Sequence, residues 1–427
     1  MKKYFLILYM CLLSVNLYGL SMQNLFDALK HNPSVKLDEI DFNKAKIDEQ
    51  KVTAKLYPKI RVFGKYENYS TPTGSIPVPP NTLINMVKDQ TVGQPFGYNI
   101  YRLGGAFSMP IFIKSIYTLG KEAKIMRESL KAKKEINLLQ NEAVLVATNA
   151  SLLYLEHLFK SLNSKKDSLN ETLKFVKIKV QTGRSAEAEL YKIQDAISQI
   201  DIALNNILIE AQNYYAQIQS LTSIKLDKAI RMMDKKDFEQ GSYKSLKSLR
   251  KKVLALNYDV EAKKENRWWP TISADGSFTR NYTKAYNNGH NLYENYSQIG
   301  VIISFALYNK ESDVAIDEAH INAMKAQTQL EKEYLKLQSD TKAMIKNLKL
   351  LDKSVILYTK SIKNKLRLRD IAKVSFINGR MNMEDYLHYE DDYVAQQAKL
   401  YQIKAQQWQI KMKLAVAFGN NIEEMVQ

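Results

Sequence analysis

The sequence predicts a mainly helical protein in which one structural unit occurs twice: a pair of β-strands followed by a long helical hairpin. Three observations predict this fold. Glycine and proline are absent over two very long spans, four short segments alternate apolar and polar residues, and several short motifs recur at a constant spacing. The composition of the 427 residues, 45% hydrophobic and 25% charged, excludes disordered, collagen-like and disulfide-rich chains.

Residues 1–19 are predicted to be a signal peptide. Lys2 and Lys3 precede an apolar run, small or polar residues follow it, and cleavage is expected after Gly19. The sole cysteine, Cys11, lies inside the run, so the mature chain is expected to lack thiol catalysis, cysteine-ligated zinc and disulfides. The net charge of +17 is spread along the chain, which favours a solvated helical surface over a nucleic-acid partner in an exported protein.

An N-terminal helical segment is predicted for residues 20–57, and a first strand pair with a long external loop for 58–112. Prolines cluster between Thr71 and Gly97, which predicts that the loop lies there. The apolar positions of the two strands recur with period two. They are Ile60, Val62, Gly64 and Tyr66 in the first strand and Leu103, Gly105, Phe107, Met109 and Ile111 in the second.

The first long helical hairpin and a mid-body segment are predicted for residues 113–269. Neither glycine nor proline occurs between Gly120 and Gly183, and apolar residues there have helical spacing. The run predicts a helix of about 70 residues, roughly 100 Å long, which one globular core cannot cover. Helices of this length are expected to pack along one another as coiled coils.

A second strand pair is predicted for 270–308 and a second long helical hairpin for 309–427. Only Gly379 interrupts the span from Gly300 to Gly419. The second unit repeats motifs of the first at an offset of 196 residues, which indicates an internal duplication. The repeated motifs are Glu122-Ala123 with Glu318-Ala319, Gly183-Arg184 with Gly379-Arg380, and Phe112 with Tyr308.

The four alternating segments, each about 10 residues long with aromatic residues at their ends, are typical of outer-membrane β-strands. The pattern alone is equally compatible with two β-hairpins on a soluble domain. If the strands cross a membrane, four cannot close a barrel and an open edge cannot lie in lipid, so several chains must share one barrel. Eight strands would leave an interior filled by side chains, so a pore favours three or more chains.

The chain resembles the TolC-like outer membrane factors over essentially its whole mature length. The resemblance rests on the opening Leu25, Ala28, Leu29 and Asn32-Pro33, on the duplicated order of strand pair and long helix, and on the two glycine turns. It implies a homotrimer with a 12-stranded β-barrel in the outer membrane of a Gram-negative bacterium, continued by a 12-helix α-barrel across the periplasm. Members of this family are exit ducts that dock through their helical tips onto a periplasmic adaptor protein and an inner-membrane transporter.

The resemblance also implies functional residues at the two turns. The adaptor-docking tips are expected at Gly183-Arg184 and Gly379-Arg380, although Thr182 and Asn378 replace the valine that precedes glycine in the family. The periplasmic entrance constriction is expected to involve Glu189 and Asp385, each six residues after a glycine, with His388 at the family's second acidic position and Phe376 at an aromatic that locks the closed end. A ring of carboxylates would favour cations at a narrow mouth.

The sequence predicts neither an enzyme nor a metal or cofactor site. The five histidines lack zinc-ligand spacing, and no phosphate-binding glycine loop or nucleophile elbow is present. An acidic cluster is interpreted as a charged helix surface with nearby lysine and arginine, because its members cannot converge on one face of a helix. The cluster comprises Glu384, Asp385, Glu390, Asp391 and Asp392.

The predicted function is that of a trimeric outer membrane exit duct in a tripartite efflux system, with an adaptor, a pump and outer membrane lipid as partners. Two alternatives stay open. One is the outer membrane duct of a type I protein secretion system. The other, from a different class, is a soluble periplasmic coiled-coil scaffold with two short hairpins.

Overall fold

The computed structural model describes residues 20–427, and the predicted signal peptide lies outside them. The described residues form nine α-helices and four β-strands. The helices are α1 (Met22–Leu29), α2 (Pro33–Ala54), α3 (Pro80–Lys88), α4 (Lys114–Gln181), α5 (Glu187–Thr222), α6 (Lys247–Trp268), α7 (Lys310–Ile377), α8 (Met383–Phe418) and α9 (Ile422–Met425). The strands are β1 (Lys59–Gly74), β2 (Phe96–Phe112), β3 (Thr271–Lys284) and β4 (Asn291–Ser304).

The internal duplication is confirmed by the helix lengths. Helices α4 and α7 each contain 68 residues, and α5 and α8 each contain 36. The bounds of each pair differ by the offset of 196 residues at which the motifs recur. The two glycine turns therefore occupy equivalent places between a very long helix and a shorter returning helix.

The strands form one antiparallel sheet in the order β1-β2-β3-β4. They contain 16, 17, 14 and 14 residues, so the expected length of about 10 residues was too short. The alternation of apolar and polar residues covers only part of each strand. In β1, for example, pairing with β2 continues past an irregularity between Asn68 and Thr73. The residues there include tyrosine, threonine and asparagine, so the sequence shows no alternation of apolar and polar residues.

The proline-rich segment between β1 and β2 is shorter than predicted and contains helix α3. Pro80 is the first residue of this helix, a position where its fixed φ angle suits the helix and its missing N–H is not needed. The backbone N–H of Ser75 donates to the carbonyl oxygen of Pro95 at 2.8 Å, so the two ends of the segment lie side by side.

The chain divides into two compact units. The helical unit contains residues 20–40, Lys131–Lys247 and Lys332–Gln427, and the sheet unit contains Asp41–Leu130 and Ser248–Glu331. The helical unit has two large hydrophobic clusters, one around the chain termini and one near the glycine turns. In the sheet unit, a small cluster of Val260, Ala319 and Ala323 packs α6 against α7.

The N-terminal helix lies beside the C-terminal residues in the helical unit. Ser21 caps α1 through a capping box with Asn24. Lys30 Nζ lies 2.8 Å from Glu423 Oε1, and Met22, Leu25 and Phe26 join Ile422 and Met425 in one apolar cluster. The N-terminal segment therefore packs against residues that follow the second helical return.

A buried carboxylate beside this junction makes stability depend on pH. Glu142 is 5% exposed, and burial, assisted by the charge of Glu423, raises its pKa from 4.5 to about 7. As pH rises from 4.5 the unfolded state ionises first, so stability falls until the folded pKa is passed. We therefore expect Glu142→Gln to stabilise the protein above pH 7, by up to roughly 3 kcal/mol, and to have little effect at pH 4.

Thermal unfolding of the helices, followed by circular dichroism at both pH values, measures this difference. The matched control is Glu135→Gln on the same helix, because the Glu135 side chain is exposed. An equal shift of Tm at both pH values for Glu142→Gln would contradict the proposed titration.

Candidate functional site

The two helix-to-helix turns have the same backbone geometry. Gly183 has a φ of 69° and Gly379 a φ of 73°, in the left-handed region that favours glycine. In each turn the residue after glycine donates its N–H to the carbonyl oxygen five residues earlier, Arg184 to Lys179 at 2.8 Å and Arg380 to Ser375 at 2.9 Å. This is the Schellman closure of a helix C-terminus.

Neither glycine is required for close packing. A Cβ atom at Gly183 or Gly379 would meet no heavy atom within 4 Å, so the backbone angle alone explains the residue type. Both glycines and the arginines that follow them, Arg184 and Arg380, are exposed. The turns thus present two similar surfaces, each with one flexible cation.

Lys179 connects the two turns. Its Nζ donates to the carbonyl oxygen of Ile377 at 3.3 Å, near the end of α7. The same ammonium lies 4.5 Å from the ring centre of Phe175 and 5.8 Å from that of Phe376, within the range of cation–π attraction. The ammonium group of Lys179, from α4, therefore lies near the carbonyl groups at the end of α7, where a positive charge interacts favourably with the negative end of the helix dipole.

Phe376 lies inside the tip, not on its surface. It is 4% exposed, and its ring stacks on that of Tyr386 with centres 5.2 Å apart and an interplanar angle of 11°. The surrounding cluster draws on α4, α5, α7 and α8. Its other buried members are Leu169, Val176, Ile193, Ile200, Leu204, Ala372 and Met383.

A buried polar network joins α4 to α8 next to this stack. The hydroxyl of Tyr386 donates to Glu390 Oε1 at 3.0 Å and lies 3.2 Å from Thr172 Oγ1, while Ser168 Oγ donates to the same Glu390 oxygen at 2.9 Å. Burial raises the pKa of Tyr386 to about 12. Lys373 Nζ, from α7, donates to Ser168 Oγ at 3.5 Å, so side chains from three helices meet around the Ser168 hydroxyl.

Sequence reasoning missed this network. Tyr386 and Glu390 lie one helical turn apart, a spacing that puts them on one face. That spacing was the one sequence feature that could have indicated a contact between Tyr386 and Glu390. Glu390, however, belongs to an acidic run whose members cannot be distinguished by sequence alone. Only the packing distinguishes it, because Glu390 is buried while its neighbour Asp391 is exposed.

Of the other three residues of the expected constriction, Asp385 and His388 are exposed in the single chain and Glu189 is half-buried. Asp385 has an exposed side chain, and its backbone N–H donates to Asn382 Oδ1 at 2.7 Å, capping α8. His388 is 74% exposed, with Nε2 3.9 Å from Asp392 Oδ2. Glu189 accepts a hydrogen bond from Ser185 Oγ. Asp385 and His388 share one side of α8, whereas Phe376 lies in the interior.

The remaining carboxylates of the acidic cluster lie beside lysines from other helices. Lys165 contacts Asp391, Lys365 contacts Asp392, and Lys192 Nζ lies 3.7 Å from Glu384 Oε2. These contacts agree with the interpretation of the cluster as a charged helix surface. Among the described residues, Asp385 and Glu390 are the cluster members whose side chains form no ion pair of this kind, and Glu390 is instead hydrogen-bonded to Ser168 and Tyr386.

The sheet has one apolar face that is exposed to solvent in the single chain. Successive strand residues point to opposite faces, and the register aligns the apolar positions of all four strands. Ile299 is 82% exposed, and Ile60, Val62 and Ile303 are similarly uncovered. The polar face carries charged and hydroxyl residues, which include Arg61, Lys65, Glu67, Arg102, Ser108, Asp275, Ser277 and Glu294.

A row of four tyrosines crosses the apolar face at one level. Tyr66, Tyr101, Tyr282 and Tyr293 are direct cross-strand partners, with ring centres 4.8, 5.8 and 5.0 Å apart along the row. Tyrosine is favoured where an apolar surface meets water, because its ring is apolar and its hydroxyl is polar. Strands β1 and β4 are the outer strands of the sheet, and neither has a partner on its outer side among residues 20–427.

Within residues 20–427, no helix combines the length and the apolar character needed to cross a lipid bilayer.

Comparisons with known proteins identify the fold by structure. No protein-family model matches the sequence, and no curated protein matches it. The CmeC outer membrane channel of Campylobacter jejuni superposes with a TM-score of 0.77 at 18% identity, over 93% of this chain and 85% of that one. The outer membrane protein VceC of Vibrio cholerae gives 0.76 at 13% identity, over 93% of this chain and 96% of that one.

The open-state MtrE outer membrane channel of Neisseria gonorrhoeae gives a TM-score of 0.72 at 13% identity, over 93% of this chain and 88% of that one. These matches extend over both strand pairs and both helical hairpins, as the coverage of the chain requires. The chain therefore has the fold of the TolC-like outer membrane factors.

Proposed function

We propose that this protein is a trimeric outer membrane exit duct of an efflux system. The observation that carries the proposal is the four-stranded sheet, which has an exposed apolar face, a row of tyrosines and two unpaired edges. An apolar face of this kind is stable against lipid chains. The unpaired edges of β1 and β4 must then find partners, because each unsatisfied backbone group in a bilayer costs several kcal/mol.

Pairing β4 of one copy with β1 of the next satisfies both edges. Three copies would give a 12-stranded barrel, wide enough for a pore, and their long helices would form a 12-helix barrel in the periplasm. The polar face of the sheet would then line the interior, and the apolar face would meet lipid. Solved structures with this fold are outer membrane channels, which supports the same assignment.

The exposed glycine turns are the proposed contact with a periplasmic adaptor protein and, through it, an inner-membrane transporter. Gly183-Arg184 and Gly379-Arg380 present the same backbone twice per chain, so a trimer would offer six similar surfaces. In this proposal Asp385 lines the periplasmic entrance with Glu189 and His388 nearby. Phe376 acts from the interior, where it fixes Tyr386 and with it the start of α8.

Single-channel recording tests the duct directly. The purified mature protein, reconstituted in planar lipid bilayers, is expected to give discrete conductance steps, and its mass in detergent is expected to be that of three chains. A monomer that leaves the bilayer conductance unchanged and is released from cells by osmotic shock would contradict the proposal and favour the periplasmic scaffold.

Cation selectivity is expected to depend on Asp385. In a trimer three of these carboxylates would surround the entrance, and a unit charge about 4 Å from a permeant ion is worth about 1 kcal/mol in water, or roughly fivefold in local concentration. We expect Asp385→Asn to lower the ratio of potassium to chloride permeability by about this factor and to weaken block by divalent cations. Reversal potentials in a potassium chloride gradient measure the ratio.

The matched control is Glu384→Gln, which removes the same charge from the neighbouring position on a different side of α8. Its side chain is highly exposed and lies near Lys192. Equal selectivity and equal divalent block in Asp385→Asn and the unmodified protein would exclude Asp385 from the conduction path.

A further inference from the structure

The segment between β1 and β2, residues 75–95, folds onto the polar face of the sheet. Arg102 projects from that face, and its Nη1 donates to the carbonyl oxygen of Ser75 at 2.7 Å. Its Nε donates to Glu67 Oε2, also at 2.7 Å, so a charged pair from two strands holds the start of the segment. Gly93 approaches Leu292, a polar-face residue of β4, so closely that an added Cβ would lie 3.0 Å from Leu292 Cδ2.

The β3–β4 connection fastens the other end of this segment, here named the insert. Asn287 Nδ2 donates to the carbonyl oxygens of Gln90 and Val92, and its Oδ1 accepts from the backbone N–H of Gln94. Asn288 Nδ2 donates to the carbonyl oxygens of Gln90 and Thr91. Five hydrogen bonds that involve the side chains of Asn287 and Asn288 therefore attach the insert to the β3–β4 connection.

Burial on the polar face is concentrated where the insert lies. Ile100, Asn281 and Thr283, which are neighbours across β2 and β3, are at most 1% exposed. On the same face, Ser108 and Gly300, toward the ends of the strands that join the helices, are exposed. Thr283 is the cross-strand partner of Leu292, the residue that Gly93 approaches, so the buried positions lie at the end of the sheet where the insert contacts it.

From this arrangement we propose that the insert forms a second constriction of the duct, at the end of the sheet away from the strand ends that continue into helices, and that this constriction limits passage by size. The inference rests on the proposed function, because only a closed ring of copies turns the polar face into the wall of a channel. Three inserts, each held inward on that wall, would then narrow the outer mouth.

Size, not charge, is the property that this constriction would select. Lys88 and Asp89 are the only charged residues of the insert, and they cancel. Four of its residues are proline, which restricts the backbone and lowers the entropy lost when the insert is held in one place. The insert is therefore a stiff, nearly neutral barrier that would slow large solutes of either charge.

The test uses single cysteines, because Cys11 is the sole native cysteine and lies in the predicted signal peptide. Ser108→Cys places a thiol on the polar face beyond the insert. Tyr286→Cys places one on the exposed β3–β4 connection. Each is introduced into the full chain and into two altered chains, one with Asn287→Ala and Asn288→Ala and one in which a short glycine-serine linker replaces residues 76–94.

Intact cells are treated with a maleimide attached to a bulky polyethylene glycol chain. We expect the cysteine of Ser108→Cys to react at least about tenfold faster in the chain with the short linker. Its labelling rate should also rise in the chain with Asn287→Ala and Asn288→Ala, because hydrogen bonds that hold the insert are lost. Tyr286→Cys is expected to react equally in all three backgrounds. The linker is compatible with the sheet, since Ser75 and Pro95 are already hydrogen-bonded to each other.

Equal labelling of Ser108→Cys with and without the insert would overturn the constriction while leaving the duct intact, provided that Tyr286→Cys reacts. Failure of Tyr286→Cys to react on intact cells, with the protein present in the membrane fraction, would instead overturn the outer-membrane placement on which the inference rests.

Discussion

Replacing Tyr386 by alanine is expected to loosen the helical tip at the two glycine turns more than any other single truncation there. The side chain is fully buried, stacks on Phe376 and donates to the buried carboxylate of Glu390. Removal of a buried aromatic ring costs about 3–5 kcal/mol, and part of that cost arises here because Glu390 loses a hydrogen-bond donor. Since the network joins α4 to α8, the expected result is local separation of these helices near the turns.

Limited proteolysis of the purified protein and single-channel recording both report this change. We expect faster cleavage near residues 183 and 379 and a larger or more frequently open conductance. Tyr386→Phe keeps the ring and removes only the hydroxyl, so it is expected to give a smaller effect in the same direction.

The control is Tyr191→Ala, which truncates an exposed tyrosine on α5 near the same tip. If Tyr191→Ala and Tyr386→Ala change proteolysis and conductance equally, the buried stack does not hold the tip closed.

The duplicated architecture is accessible from the sequence because it depends on local signals. Long spans without glycine or proline fix α4 and α7, and the φ angles above 60° at Gly183 and Gly379 follow from the need to reverse the chain. Strand length was underestimated, because pairing between neighbouring strands continues where alternation ends. Helix α3 was missed, since a cluster of prolines ordinarily indicates a loop.

The tip was harder to predict because its organisation depends on contacts between distant segments. Phe376 is predicted at the entrance constriction from the family resemblance alone, and the stacking of its ring on Tyr386 inside the tip is a contact that the sequence does not reveal. Glu390 accepts hydrogen bonds from Ser168 and Tyr386, and Ser168 is 222 positions away in the chain. No pattern within a short window of sequence reports such a pair. The role of Asp385 in ion selectivity and the role of the two glycine turns in adaptor docking remain predictions. The selectivity experiment tests the first, and measurement of adaptor binding tests the second.

A lysine on the apolar face of the sheet is expected to prevent assembly in the membrane. Ile299 is 82% exposed in the single chain and lies several residues from the tyrosine row, near the middle of β4. A lysine at the bilayer midplane of a membrane strand costs about 2–4 kcal/mol, and a trimer would bear that cost three times. We therefore expect Ile299→Lys to abolish or strongly reduce the amount of the proposed trimer in outer membrane fractions.

The adjacent residue, Gln298, supplies a matched control. It shows whether a defect arises because the lysine faces lipid or because the strand does not tolerate a charge on either face. Gln298 is also exposed in the single chain, but it belongs to the polar face, which the proposed barrel turns toward water. Gln298→Lys should therefore assemble normally and should change conductance or ion selectivity, because it adds three charges to the channel wall. If both lysine variants assemble equally well, the apolar face does not contact lipid. If Gln298→Lys alone fails, the faces are assigned the wrong way round. A defect confined to Ile299→Lys is the outcome that one lipid-facing and one water-facing side of the sheet requires.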